Sequence, residues 1–358
     1  MALKKSIESM AGSIITAFDL RAAETSLPRW ELAKEDLSRL RSWWESYMSR
    51  YHGKHSARLD VHRFEDREAL DSYDEIVGLL TETAATNPRL AQEVCRLSEQ
   101  YLTSIRLPYQ VVEANHWTQS QHAPAPPAKV QPFHVVIPFR DDTQSQSRLS
   151  TLLTTLGRIS RIRTNGAALN VTVVESSSQK RNESIIHRFG FNYLHHPYGG
   201  PFSRSAAINT GVYATAENTE IIVIMDADAI VPLNFAEIIG SARLHERNFV
   251  PAMSTLCLDI TSTTRLASAL ETSAQLEGRL SGFSLHMMRG ICIVVRRTDF
   301  MTVGGFDEGY RGWGGEDVDF HSRLNSKFGV GRLPGMLLHL HHERPDMTDF
   351  TKLVMAGL

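Results

Sequence analysis

The chain has 358 residues, 42% of them hydrophobic and 22% charged, the proportions of an ordinary globular protein with room for one large domain and a smaller one. A formal net charge of −2 and a pI near 6.7 exclude a global field that would draw it to nucleic acid or anionic lipid, so any anionic ligand has to be held by a local site. Three scattered cysteines, Cys95, Cys257 and Cys292, with no CxxC spacing, argue against a disulfide framework or structural zinc and suit a reducing compartment.

At the N-terminus, Lys4 and Lys5 precede a stretch broken by Glu8, Ser9 and Gly12, which lacks the continuous apolar run of a signal peptide. No window approaches the roughly 18 apolar residues of a membrane span. The expected location is cytoplasmic. From 27 to 107 the texture is helical: among Trp30, Leu32, Leu37, Leu40, Trp43, Trp44 and Met48, the run 37, 40, 44, 48 keeps spacings of three and four. Helices are also expected over 71–83 and 88–105, the second opened by Asn87-Pro88 as cap and first turn. Trp43 and Trp44 are read as core or interface residues, not as a sugar platform. These elements form an expected all-helical domain over 1–118, with a surface for homo-oligomerisation as one role. Residues 119–131 contain Ala123-Pro124-Ala125-Pro126-Pro127 and read as an extended linker.

Beyond it, 132–358, the texture alternates. The run 133–139 (FHVVIPF) suits a buried parallel strand, followed by a helix over 149–162 and a second strand over 169–174. A helix over 180–189, a strand over 192–195, a helix over 203–216 and a buried strand over 221–225 (IIVIM) follow. Strands separated by helices imply an α/β fold with a doubly wound sheet that binds ligands at the carboxyl ends of its strands.

Two constellations bear on chemistry. Asp226-Ala227-Asp228 follows the IIVIM strand directly; on extended backbone both carboxylates point the same way. Hard oxygen ligands of this kind hold Mn²⁺ or Mg²⁺, and the cation neutralises a diphosphate leaving group. The second is Gly312-Trp313-Gly314-Gly315-Glu316-Asp317-Val318-Asp319-Phe320. Glycines around Trp313 allow close wrapping about a ligand with the indole as a wall. Glu316 and Asp317 then open a helix, and they exceed what capping alone requires.

With these segments in hand, the chain resembles the GT-A type glycosyltransferases, most closely the β-1,4-galactosyltransferase and chondroitin-polymerase-like group. The resemblance rests on Ile137-Pro138-Phe139-Arg140, on Phe202-Ser203-Arg204 leading to Asn209 and Gly211, on the DxD triplet and on GWGGEDVDF, in that order. It implies a Rossmann-like mixed sheet, a UDP-sugar donor and a Mn²⁺ (or Mg²⁺) cofactor. Pro138, Phe139 and Arg140 match the cradle of uracil and ribose, and Glu175 falls where relatives place an acid against uracil. Arg204 matches a residue near the donor phosphates, and Asp226 faces ribose or sugar hydroxyls. Asp228 ligates the metal, Trp313 contacts phosphate and acceptor, and Glu316 contacts acceptor hydroxyls. Asp317 is the general base of the inverting members. In the run Leu337-Leu338-His339-Leu340-His341-His342 the resemblance aligns the metal-binding histidine with His341. His339, on the same face of a strand, is the alternative.

The resulting expectation is an inverting transfer of a sugar such as Gal, GlcNAc or GalNAc to a glycan, natural-product or protein-bound acceptor. Two alternatives remain open at this level. A nucleotidyltransferase of similar fold would carry a glycine-rich signature after the first strand, where this chain has Ile137-Pro138-Phe139-Arg140-Asp141-Asp142. A non-catalytic glycan- or partner-binding module is the other.

Overall fold

The computed structural model describes residues 2–19, 21–52, 69–105, 107–119, 132–141, 147–242, 247–272, 276–312 and 314–342. Trp313 and all but the first residue of the expected linker lie outside the described residues. Five helices lead the chain: α1 (Ala2–Phe18), α2 (Arg21–Thr25), α3 (Leu27–Tyr51), α4 (Ala69–Thr86) and α5 (Pro88–Ser104). Then come β1 (Tyr109–Glu113), α6 (Ala114–Gln119), β2 (Phe133–Phe139), α7 (Ser147–Thr164), β3 (Leu169–Ser177) and α8 (Glu183–His187). β4 (Asn192–Pro197), α9 (Arg204–Tyr213), β5 (Ile221–Met225), β6 (Ala229–Ile230), α10 (Phe235–Ala242), β7 (Phe249–Val250) and β8 (Ser254–Leu258) continue it. The chain closes with α11 (Ile260–Thr272), β9 (Arg279–His286), β10 (Cys292–Arg296), α12 (Arg297–Thr302), α13 (Glu316–Phe328), β11 (Gly331–Arg332) and β12 (Met336–His339). No helix among the described residues is long and apolar enough to cross a membrane.

Two compact units result. One comprises Met1–Glu113 with Leu256–Ser262 and Arg279–His286; the other holds the remainder. In the first, α1 is the central element, buried continuously from Met10 to Phe18 and packed by α3, α4, α5 and β1. Its small residues make this possible. A Cβ on Gly12 would stand 2.1 Å from the Tyr109 carbonyl oxygen, so helix and strand meet backbone to backbone. Thr16 fastens the contact: its hydroxyl donates to the Leu107 carbonyl (2.9 Å) and accepts from the Tyr109 N–H (3.1 Å). Asn87 caps α5 as its sequence suggests, accepting from the Leu90 N–H. The helical region nevertheless ends in a strand. β1 pairs antiparallel with β9, Tyr109 opposite Phe283 and Glu113 opposite Arg279.

The second unit is built on a seven-stranded sheet of order β11-β7-β10-β5-β2-β3-β4. β2, β3, β4 and β5 are mutually parallel, and β10 runs antiparallel to β5. Chain order proceeds outward from β2 to β3 to β4, then returns across β2 to β5. The direction of winding therefore reverses between β2 and β5, and the crevice at their carboxyl ends is the topological switch point. Both faces are covered. Val135, Ile137 and Phe139 pack with Leu152, Leu156 and Ile159 of α7. Val136, Val174, Ile222 and Ile224 pack with Ala207, Ile208 and Val212 of α9 and with Phe300 and Phe320. α9 approaches so closely that a Cβ on Gly211 would lie 2.4 Å from Val136 Cγ1. Pro138 is tolerated in a central strand because β5 pairs with β2 only as far as Val136, leaving no partner there for a missing N–H.

Candidate active site

β5 delivers Asp226 to the switch point. The Asp226 N–H donates to the Ile291 carbonyl (2.9 Å), and the chain then turns at once, the Ala229 N–H bonding back to the Asp226 carbonyl (3.2 Å). The triplet is thus a turn, not the extended segment expected from its spacing. Its two carboxylates take different partners.

Asp226 is held by Arg204, in the first turn of α9. Ser203 caps that helix, its hydroxyl accepting from the Ala206 N–H. Arg204 Nε and Nη2 both donate to Asp226 Oδ1 (2.9 and 2.7 Å), Nη2 also donates to the Gly290 carbonyl (2.6 Å), and Nη1 stands 3.4 Å from Glu316 Oε1. Burial opposes the charge on Arg204, yet the carboxylates of Asp226, Glu316 and Asp317 hold the guanidinium above its ordinary range. Burial pushes the Asp226 carboxyl up to about 7 against the pull of Arg204, and pushes Glu316 up as well.

Glu316 and Asp317 are the first two residues of α13, placed there by Gly314 and Gly315, both at φ 93. No side chain with a Cβ adopts that backbone readily. Glu316 turns inward toward Arg204. Asp317 is half-buried; its Oδ1 accepts from the Val318 N–H (2.9 Å), and a Cβ on Gly290 would sit 2.7 Å from its Oδ2. The Gly290 backbone therefore touches both Arg204 and the Asp317 carboxylate.

Asp228 joins a separate group. Its oxygens face His339 Nε2 at 3.3 Å and His342 Nε2 at 3.0 Å, and the ligand atoms of these three residues lie within 4.8 Å of one another. Burial alone would raise the Asp228 carboxyl, but the two imidazoles hold it well below the usual carboxylate range. The structure sets His339 and His342 beside Asp228, and not the expected His341. β12 ends at His339, so the two-residue alternation of a strand stops there. Three residues on, His342 is buried against Asp228, while His341 is exposed and gives its N–H to Thr263 Oγ1. His339, the alternative, does join the group.

Glu175 also stands elsewhere than just past the strand end expected of it. β3 continues to Ser177, so Glu175 sits inside the sheet, paired with Phe139 and His195. Its Oε2 accepts from the Arg181 and Asn182 N–H groups and the Tyr193 hydroxyl, and Oε1 accepts from the Asn182 amide. A carboxylate so engaged anchors the 178–182 loop. Pro138 and Phe139 are buried in β2, and Arg140, just past its end, donates from Nη1 to the Gly200 carbonyl.

Residues 282–346 match the family described as the N-terminal domain of galactosyltransferase, a segment that covers Gly290, Glu316, Asp317, His339 and His342. Chondroitin sulfate N-acetylgalactosaminyltransferase 1 of Mus musculus is 46% identical over 57 residues, 15% of this chain and 11% of that protein. Chondroitin sulfate N-acetylgalactosaminyltransferase 2 of Homo sapiens is 29% identical over 178 residues, 47% of this chain and 32% of that protein. The chain thus spans a third or less of the length of these relatives. Among solved structures, a mutant of Drosophila β-1,4-galactosyltransferase 7 in complex with manganese, UDP-Gal and xylobiose superposes with TM-score 0.39 at 16% identity, covering 62% of this chain and 79% of that one. GalNAc-T7 with UDP, GalNAc and Mn²⁺ gives TM-score 0.44 at 12% identity, over 61% and 45% of the two chains. The matched segment resembles galactosyltransferases, and it meets the doubly wound sheet at its switch point.

Proposed function

We propose that this chain is an inverting, Mn²⁺-dependent glycosyltransferase that moves a sugar from a UDP-sugar to an acceptor hydroxyl. One observation carries the reading. Arg204 ties Asp226, next to the Asp228-His339-His342 group, to Glu316, next to Asp317, so that a cation site and a candidate base stand at one switch point.

The residues fit a divalent cation. Asp228 Oδ1 is buried and accepts no hydrogen bond among the described residues, although an imidazole nitrogen stands 3.3 Å away. Two imidazoles with one carboxylate suit Mn²⁺ better than Mg²⁺. When bound, the ion supplies positive charge to a departing diphosphate. Asp317 takes the proton from the acceptor hydroxyl; the hydroxyl oxygen forms a bond to the anomeric carbon as the bond to the UDP oxygen breaks, and configuration inverts. Glu316, fixed by Arg204, orients acceptor hydroxyls.

Incubating the chain with individual UDP-sugars and Mn²⁺ tests this reading. The names of the relatives put UDP-N-acetylgalactosamine first among the donors. Mn²⁺-dependent release of UDP is expected, whereas release of pyrophosphate would identify a nucleotidyltransferase. The ligand assignment has its own test. His342→Ala is expected to weaken Mn²⁺ binding at least tenfold, on the order of what losing even a supporting partner of a ligand costs. His341→Ala is expected to leave it unchanged in the same titration, and the reverse ranking would restore His341 as the ligand.

A further inference from the structure

Asn209 lies in the middle of α9, buried, and touches none of the carboxylates or histidines described above. Its amide is nonetheless fully engaged with the segment that leads to Glu316 and Asp317. Nδ2 donates to the Phe306 carbonyl (2.9 Å) and to Glu308 Oε1 (2.9 Å), while Oδ1 accepts from the Phe306 N–H (2.9 Å). One side chain thus satisfies both backbone groups of a single residue, as a neighbouring strand would. The fit is close. Gly305, at φ +67, leaves room where a Cβ would stand 2.6 Å from Asn209 Oδ1.

The same segment is held from the other side by α13. Arg323 donates to the Val303 and Gly305 carbonyls (2.6 and 2.9 Å) while paired with Asp319, and the Phe306 ring stacks on Phe320 at 4.1 Å and 13°. α9 itself cannot shift easily, because Gly211 lies against Val136 and Val174 of the sheet. One helix therefore fixes Asp226 and Glu316 through Arg204 and, about a turn and a half further on, fixes the root of the 307–315 loop through Asn209. Between Phe306 and α13 stand Gly312, Gly314 and Gly315, all at positive φ. A segment so rich in glycine holds its geometry only if its root is held.

We infer that Asn209 is a positioning residue: its amide sets where the segment leading from Phe306 to α13 begins, and so where Asp317 stands relative to Asp226. This rests on the transferase reading above. A displacement of about 1 Å in a reacting group costs on the order of 100-fold in rate, and that is the expected fall in kcat for Asn209→Asp. The aspartate keeps the size and the acceptor but loses the donor, and sets a carboxylate against both the Phe306 carbonyl and Glu308. UDP and Mn²⁺ affinity, read by calorimetry, is expected to stay within about twofold, since the Asn209 amide bonds to Phe306 and Glu308 and not to Asp228. Hydrogen exchange across 303–312 is expected to accelerate.

Glu308→Gln in the Asn209→Asp background returns a donor opposite the new carboxylate and is expected to recover at least tenfold in kcat. A merely structural contribution would lower thermal stability without this split between kcat and affinity and without the rescue. Unchanged kcat in folded Asn209→Asp, or a double variant no better than the single one, overturns the inference. Should Asn209→Asp not fold, Asn209→Ser removes the same bonds without adding charge and decides by the same readings. A wild-type chain that releases no UDP from any donor defeats the transferase reading instead, so the two failures are distinguishable.

Discussion

Asp317→Asn is expected to lower kcat by about a thousandfold, within the 10²–10⁴ range of a positioned general base, while UDP and Mn²⁺ still bind. The substitution is close to isosteric. An asparagine side-chain oxygen can still accept from the Val318 N–H, as Asp317 Oδ1 does, and its amide nitrogen occupies the space that the absent Cβ of Gly290 leaves open beside Oδ2. What disappears is the capacity to take a proton. The effect should fall on kcat and kcat/KM together, the signature of an interaction made in the transition state.

Glu316→Gln provides the contrast. It weakens the contact with Arg204 as well as the acceptor side, so acceptor KM and stability should both move. Measuring UDP release with and without acceptor, UDP binding by calorimetry and the anomeric configuration of the product separates these effects. Full activity in Asp317→Asn would remove the base from the mechanism, and a product of retained configuration would remove inversion.

Much of this site could be read from the amino-acid pattern, and the parts that could not share a physical cause. Strands built around β-branched runs, Val135-Val136-Ile137 in 133–139 and Ile221 to Ile224 in 221–225, announce themselves because burial on both faces favours apolar residues on both sides of the strand. The residues just past their ends, Arg140 and Asp226, follow directly. The glycines around Trp313 mark a positive-φ loop because little else tolerates it, and Gly314 and Gly315 do adopt it.

What the pattern did not carry was geometry that depends on where an element stops. His341 was favoured by alignment, and His339 by assuming a strand that continues; β12 ends at His339, and a spacing of three, not two, brings His342 to Asp228. Glu175 was read as a strand-end acid, but β3 runs two residues further and buries it. The Asp226-Ala227-Asp228 segment turns where alternation assumed extension. Each of these depends on hydrogen bonds to residues remote in sequence, such as Tyr193 for Glu175 and Ile291 for Asp226, and local periodicity carries no record of them. The 109–113 strand is the same case. Tyr109-Gln110-Val111-Val112-Glu113 is short, and only its pairing with β9, some 170 residues later, makes it a strand.

Arg204→Met is expected to destabilise the fold by about 3 kcal/mol, the cost of removing one partner from a buried ion pair, and to lower activity by at least about 100-fold. Arg204, Asp226 and Glu316 are 13%, 26% and 11% exposed at their side chains, so water can do little to replace the lost guanidinium. Methionine keeps the apolar stem of the arginine, whose guanidinium carbon lies 5.9 Å from the Phe306 ring, and ends short of the guanidinium nitrogens, so the loss is chiefly that of their charge and hydrogen bonds. Two buried carboxylates would be left facing each other, together with a Gly290 carbonyl that has lost its donor. Arg204→Lys separates charge from geometry. A single ammonium neutralises the pocket but cannot reach Asp226, Gly290 and Glu316 at once, so it should recover most of the stability and little of the rate. Urea midpoints and UDP release read the two quantities independently. If Arg204→Met unfolds at the same midpoint as the wild type, the carboxylates are not held by this arginine, and the link between the metal side and the base side of the site has to be sought elsewhere. If Arg204→Lys restores the rate as well, charge alone suffices there, and the three-way grip of the guanidinium is not what sets the position of Glu316 and Asp317.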